Sequence, residues 1–303
     1  FIVRGIILNT RPKKSAEAYQ KIWWDEGSPL IVISERLQKK IQQKTTVPVA
    51  LAMRYGSMTL KKGLQELVDQ GVDEILTIPL YPQFAMATTE TIDVKVEELK
   101  KEFFPQLQIT SLPAFYSKPE YIEVLSKSIA EKLEGLDYEH LLFSYHGVPE
   151  RHIYKRDITK SHCKIDGSCC VTPSPAHEFC YRHQCLKTTE LVAKKLNLQA
   201  GTYSSSFQSR LGFDPWLKPP TDRTIERMGL NGVKKMAIVT PAFVSDCLET
   251  LEEIAMEGQE IFHEAGGKEF TVIPCLNDRD DWAEVLTGWI DTWRIVDVKT
   301  AIA

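Results

Sequence analysis

Two segments of this 303-residue chain carry side chains that could do chemistry together. Leu141–Arg151, LLFSYHGVPER, brings His146 to the end of an apolar run. Pro241–Ala255, PAFVSDCLETLEEIA, brings Asp246, Glu249 and Glu253 in just after another. An imidazole accepts and returns protons near neutral pH and ligates metals. Imidazole and carboxylate donors together favour Fe²⁺, Zn²⁺ or similar ions over Ca²⁺. Gly147 permits a sharp turn after His146 and Pro149 fixes the exit, so the ring is presented where a strand stops. In open α/β sheets, ligands bind outside the carboxyl ends of strands. A histidine and a set of acids at two such ends fit one cleft built by both segments.

A helix over Asp246–Ala265 puts Asp246, Glu249, Glu253, Glu257 and Glu260 on one side, with Leu248, Leu251, Ala255 and Phe262 on the other. A solvated charged face over a packing face is the plain explanation of such a wheel. Against it, Glu249/Glu253 and Glu253/Glu257 are like-charge i,i+4 pairs, each costing a few tenths of a kcal/mol. No Lys or Arg lies between them to relieve that cost. Asp246 and Glu249 in the first turn suit the positive end of the helix dipole. A row of carboxylates leading inward suits a divalent cation or a proton relay.

The elements that must position these groups read as alternating strands and helices. Val47–Met53, Ile75–Leu80, Gln108–Leu112, Leu141–Tyr145, Met236–Thr240 and Phe270–Pro274 have strand length and composition. Leu60–Gln70, Thr89–Phe104, Pro119–Leu133, Thr188–Leu196, Thr221–Met228 and Asp246–Ala265 have helical periodicity. That alternation predicts an α/β fold with parallel sheets flanked by crossover helices. The halves echo each other: QGVDEILTIPLYPQF…TTETI resembles NGVKKMAIVTPAFVSDCLETL, each beginning at a glycine that ends a helix, Gly71 or Gly232. Two similar Rossmann-like domains facing one another follow, residues 1–135 and 136–290 with the boundary near Leu133–Tyr138, and the cleft between them is the default ligand site.

Composition narrows the class. With 43% hydrophobic and 26% charged residues the chain is an ordinary globular protein. A net charge of −4 argues against a nucleic-acid surface. No apolar run approaches the roughly 20 residues of a membrane span, so membrane contact is at most peripheral. The chain opens at Phe1 and shows no signal peptide, which predicts a cytoplasmic protein, at most peripheral to the inner membrane.

Five of seven cysteines crowd into one stretch, SHCKIDGSCCVTPSPAHEFCYRHQC. A zinc site more often shows paired C-x2-C knuckles, whereas thiolates at uneven spacing on a loop suit an iron–sulfur cluster. Free thiols with an occasional disulfide are the alternative. Cys163, Cys170, Cys180 and Cys185 are the expected ligand set, with Cys169 the first substitute.

LLFSYHGVPER resembles the signature of the ferrochelatase family, and SDCLETLEEIA resembles the acidic metal-site helix of its Gram-negative bacterial members. KKSAEAYQKIW, DEGSPL, MRYG, YPQF…TTET and FQSRLGFDPWLKPPTD agree, so the similarity runs from about Thr10 to Trp289. The resemblance implies insertion of Fe²⁺ into protoporphyrin IX with release of two protons. It makes His146 and Glu249 the inner metal- and proton-handling pair, with Glu253 continuing the path and Asp246 supporting it. It also implies that Arg11, Tyr19, Ser28, Arg54 and Tyr55 form the porphyrin lip, their cationic and hydroxyl donors suiting propionates. Tyr81, Phe243 and Trp216 would pack near the macrocycle. The cysteine stretch, residues 161–186, is similar to an inserted loop that holds a [2Fe–2S] cluster in some bacterial members; metal insertion moves no electrons, so that cluster would be structural or redox-sensing.

Two departures shape the expectations. Cys247 stands where animal members carry a second histidine, so no proton-shuttle role carries over there. The family usually opens with a strand and an Asn-Leu-Gly-Thr-Pro turn, and Phe1–Asn9 resembles the stretch after it. An open sheet edge with exposed apolar surface is the expectation. Residues 291–303 form a tail without a counterpart. Rival activities are a coproporphyrin ferrochelatase, a cobalt chelatase, or a non-catalytic porphyrin or haem binder with a redox-sensing cluster.

Overall fold

Short runs of β-branched and aromatic residues build two parallel sheets, with amphipathic segments packed against them. A computed structural model describes the backbone of residues 8–301 and the side chains of residues 15–295, residues 211 and 213 excepted in both. Helices α1 (Leu8–Ile22), α2 (Pro29–Lys44) and α3 (Leu60–Val68) precede β1 (Glu74–Thr77). Then come α4 (Thr89–Phe103), β2 (Gln108–Ser111) and α5 (Pro119–Leu133). The second half runs β3 (His140–His146), α6 (Glu150–Arg156), α7 (Tyr181–Lys195), β4 (Tyr203–Gln208), α8 (Thr221–Leu230) and β5 (Lys235–Val239). A π-helix over Glu249–Gly258, α9 (Gln259–Glu264), β6 (Glu269–Val272) and α10 (Asp280–Ala301) complete it. This is the mixed α/β architecture with parallel sheets flanked by helices that the alternation predicts.

β1 pairs in parallel with β2, and the larger sheet has the order β4-β3-β5-β6, parallel throughout. The central β3 is buried along nearly its whole length, as a strand covered on both faces must be. Successive side chains alternate between faces. Leu141, Phe143 and Tyr145 enter one core with Tyr121, Ile129, Val192 and Trp282 of α5, α7 and α10. Leu142 enters the other with Ile225, Ile254 and Phe262, below α8, the π-helix and α9. His146 shares the parity of Leu142, so the pleat sends its ring toward the side occupied by the π-helix.

Three expectations change. Among the described residues, Val47–Met53 forms no ladder beyond a bridge from Met53 to Thr59. Its backbone is satisfied by side chains of α2 instead: Gln42 Oε1 accepts from Val49 N at 2.8 Å, and Gln38 Nε2 donates to Val49 O at 2.6 Å. β4 was not anticipated because YSSSFQ reads as polar. Its serines find side-chain partners, the buried Ser206, like Ser144 of β3, bonding Thr221 at 2.8 Å and the half-buried Ser205 bonding Thr189 at 2.9 Å. The continuous α-helix expected over Asp246–Ala265 is replaced by a π-helix from Glu249 followed by α9, with Asp246 and Cys247 preceding it. Thr250 pulls the entry out of helical register: its Oγ1 accepts from Cys247 N at 3.0 Å and donates to Asp246 Oδ1 at 2.9 Å. At the other end of the chain α10 continues through Arg294 into the segment expected as a tail.

Candidate active site

His146 ends β3, where the ladder pairs it with Gln208, the last residue of β4. Its Nδ1 lies 2.7 Å from the Gly147 carbonyl, which can only accept, so Nδ1 carries the proton and Nε2 is left as an acceptor. Behind the ring, Tyr181 Oη donates to the His146 carbonyl at 2.7 Å. Gln208 then joins the two halves of the site. Gly147 N donates to the Gln208 carbonyl at 2.7 Å, and Gln208 Nε2 donates to the Glu249 carbonyl at 3.0 Å. A single side chain therefore spaces the histidine strand from the first residue of the π-helix.

Both groups line one cavity of about 750 Å³. Tyr81, Pro149, Trp216, Phe243, Cys247 and Arg54 line the same cavity. The Phe243 ring lies 6.1 Å from the imidazole, edge-on. A second arm of the cavity is apolar, running between residues 47–53 and the edge of β1 that lacks a partner among the described residues. Leu37, Ile41, Leu64, Ile75 and Ile78 wall it.

Glu253 sits one step behind the pair, accepting from Ser209 N at 2.7 Å and Ser209 Oγ at 2.6 Å. Burial raises its carboxyl above the usual range; the Ser209 donors and the attraction of His146 oppose that, while Glu249 adds to it. Cys247 is buried against Glu249, and burial together with that carboxylate pushes its thiol well up. Burial, with Glu249 and Cys247 adding to it, raises the Tyr81 and Tyr19 hydroxyls; Tyr81 lines the cavity and Tyr19 of α1 does not. An ion pair from Lys21 to Glu252 at 2.7 Å fastens α1 to the π-helix.

Other expected residues fall differently. Asp246 is outside the cavity wall; its carboxylate is consumed by Asn277 Nδ2 at 2.6 Å and Thr250 Oγ1 at 2.9 Å, making it a brace for the helix entry. Ser28 caps α2 by position without a side-chain bond. Arg54 donates through Nε to Thr91 O at 3.1 Å and lies over the ring of Tyr55, which is 72% exposed. Trp216 packs beside Gly147, its Nε1 without a partner among the described residues. Arg11 lies on α1, its side chain outside the described residues. Sequence reasoning assigned no role to Gln208, Ser209 or Tyr181, although the first two lie in the family-like segment FQSRLGFDPWLKPPTD, at the end of the unrecognised strand β4.

The cysteine loop folds over the N-terminus of α7. Cys163 and Cys170 neighbour Cys180, whose thiol is drawn down to about 6 by Cys170, with burial opposing and the N–H groups of His183 and Arg182 and Cys163 aiding. Cys169 acts on both Cys163 and Cys170, while its own Sγ accepts from Lys164 N at 3.1 Å. Cys185 is fully buried one turn into α7, with the Tyr181 hydroxyl as its partner. Cys163, Cys170 and Cys180 influence one another and Cys169 acts on the first two, whereas Cys185 is raised mainly by burial, with Cys180 adding to it. No group of three His, Cys, Asp or Glu is arranged around a single ion among the described residues.

The family model described as ferrochelatase matches residues 1–293. The ferrochelatase of Pseudomonas fluorescens (strain Pf0-1) is 47% identical over 284 residues, covering 93% of this chain and 83% of its own. That of Opitutus terrae is 44% identical over 294 residues, covering 96% and 85%. Among solved structures, SirB from Bacillus subtilis with Fe³⁺ superposes with a TM-score of 0.56 at 14% identity, covering 88% of this chain and 91% of that one, which is a likeness of fold. With both active-site segments inside the matched region, the chain belongs to the ferrochelatase family.

Proposed function

We propose that the chain inserts Fe²⁺ into protoporphyrin IX, with His146 and Glu249 as the pair that handles the metal and the pyrrole protons. The observation that carries this reading is their placement on one cavity wall, spaced by Gln208. A porphyrin is a flat apolar disc with two carboxylates at its edge and two N–H protons at its centre. The cavity answers each feature: Phe243, Trp216 and Pro149 offer apolar surface, Arg54 offers a cation, and the basic and acidic side chains of His146 and Glu249 enter from one end.

The tautomer fixed by Gly147 leaves Nε2 of His146 free to take a pyrrole proton. Glu249 offers a carboxylate that attracts the incoming cation and can accept the second proton. Glu253, held by Ser209 and raised by burial, is suited to take that proton onward. Asp246 holds the turn that starts this row. Arg54 is the donor for propionates, with Arg11, Tyr19, Ser28 and Tyr55 on the lip and Trp216 packing near the macrocycle.

The loop fits a [2Fe–2S] cluster in its donor chemistry, because its buried thiols share one readily formed thiolate at Cys180. Cys163, Cys170 and Cys180 would hold it, with Cys169 favoured by position over Cys185 as the fourth ligand. When bound, such a cluster would supply a redox-sensitive cross-link between the loop and α7. Iron and acid-labile sulfide should then stand near two each per chain, and an anaerobic preparation without colour would count against it. A cytoplasmic protein at most peripheral to the inner membrane fits, since no described helix is long and apolar enough to cross a membrane.

The test is anaerobic Fe²⁺ or Zn²⁺ insertion into protoporphyrin, followed by loss or shift of porphyrin fluorescence. Preferential turnover of coproporphyrin or of Co²⁺ would redirect the substrate assignment. Tight porphyrin binding with no insertion of any divalent metal would make the chain a carrier.

A further inference from the structure

The first turn of α7 touches both walls of the active site while being part of the cysteine loop. Cys180, a neighbour of Cys163 and Cys170 in the cysteine loop, is the N-cap of α7. The next residue, Tyr181, donates to the His146 carbonyl at 2.7 Å. Gln184 is fully buried, and its Oε1 accepts from Phe84 N at 2.6 Å, in the Tyr81–Ala85 loop that lines the cavity. Its Nε2 turns back to the loop, donating to the carbonyls of His177 at 3.2 Å and Glu178 at 2.8 Å. Phe84 and Phe179 add an edge contact at 5.2 Å, and Gln83 Nε2 donates to Thr188 Oγ1 of α7 at 3.1 Å.

We infer that Tyr181 and Gln184 are positioning residues that couple the cysteine loop to the active site, so that the state of the loop sets the placement of His146 and of the Tyr81–Ala85 wall. This rests on the ferrochelatase reading only for its consequence in turnover. The geometry is specific: the two hydrogen bonds reach the backbone of the reacting strand and of the facing loop, and both leave from the turn that Cys180 begins. Shape is transmitted because these contacts are buried and cannot be replaced by water without moving one partner. The histidine's own proton chemistry need not change for the coupling to act.

The experiment uses the full chain with the loop perturbed by Cys170→Ser, or by Cys163→Ser should the first not fold. Each is placed in the parent background and in a Tyr181→Phe/Gln184→Met background. Two quantities are read: the rate of Zn²⁺ insertion into protoporphyrin, and the rate at which diethyl pyrocarbonate modifies His146, followed by peptide mass spectrometry. In the parent, the loop substitution should change both by about fivefold, the factor one buried hydrogen bond sets. In the uncoupled background it should change neither beyond about twofold, the scatter below a net hydrogen bond. Equal factors in both backgrounds, or no change at His146 in the parent, would overturn the coupling. A parent that inserts no metal would remove the functional reading, while the His146 modification rates still decide the coupling.

Discussion

Replacing Gly147 by alanine tests how the spacing of the site is set. A Cβ there would stand 2.7 Å from the Gln208 carbonyl oxygen and 3.2 Å from Trp216 Cε3, where ordinary contact begins at 3.4 Å. Gly147 is not in the left-handed region, so the obstacle is space and not backbone strain. The nearer atom is backbone and cannot swing aside. The ends of β3 and β4 must part, which weakens the Gly147 N–H bond to Gln208. Overpacking costs about 1–3 kcal/mol and the hydrogen bond about 1 kcal/mol, so stability should fall by about 2–4 kcal/mol. Because Gln208 also holds the Glu249 carbonyl, His146 and Glu249 lose their common spacer. A displacement of about 1 Å at reacting groups can cost about a hundredfold in rate. Zn²⁺ insertion followed by fluorescence should show that loss in kcat, thermal unfolding by circular dichroism the lost stability, and quenching titration a preserved porphyrin affinity. Gly288→Ala is the control, since its Cβ meets nothing within 4 Å and the site lies on α10. It should gain up to about 1 kcal/mol with unchanged kcat. A Gly147→Ala chain with parental kcat and unfolding temperature would refute the argument.

Two further outcomes are expected. Ser209 has φ 64°, a conformation glycine adopts more readily, and its hydroxyl bonds Glu253. Glu253 is raised above its unfolded value, so its contribution to stability is present at acid pH and is lost as pH rises through the folded value. Ser209→Ala removes one donor, raises the carboxyl further and should move the acid limb of the kcat–pH profile to higher pH; Ser209→Gly should do the same while recovering about 1 kcal/mol of strain. A limb that stays in place or moves to lower pH would contradict the role given to Glu253. For Asp157 burial works upward, yet the N–H of Cys163, the hydroxyl and N–H of Thr159 and the N–H of His162 bring its carboxyl down to about 2. Its support of the cysteine loop is therefore present above the unfolded value of about 3.9 and is lost as pH falls toward 2. Asp157→Asn should speed reaction of the loop thiols with a disulfide reagent several-fold at neutral pH, and unchanged rates would exclude that support.

The parts of the fold legible in sequence were those where burial leaves a plain pattern. β3 and β5 are near-continuous apolar runs because both faces are covered, and their ends point to His146 and to the acidic row. β4 was invisible because its polar side chains find their partners on β3, α7 and α8, a pairing no single segment displays. Val47–Met53 misled for the opposite reason: its apolar residues line the cavity, but glutamines from α2 take the hydrogen bonds a strand would need. The π-helix could not be read either, since the pattern of Glu249, Glu253 and Glu257 suits a helix of either width and the choice is made by Thr250 at the entry. The cysteines were legible as a cluster, whereas the separation of Cys185 from the converging three required the placement of Tyr181.

The most direct test of the central claim is metal insertion by His146→Ala and Glu249→Gln, with porphyrin binding measured in the same preparations. Both variants should bind protoporphyrin with near-parental affinity and form no metalloporphyrin from Fe²⁺ or Zn²⁺. Turnover retained in both would contradict the account, because the two groups that meet across Gln208 would then not be the ones that exchange protons for metal.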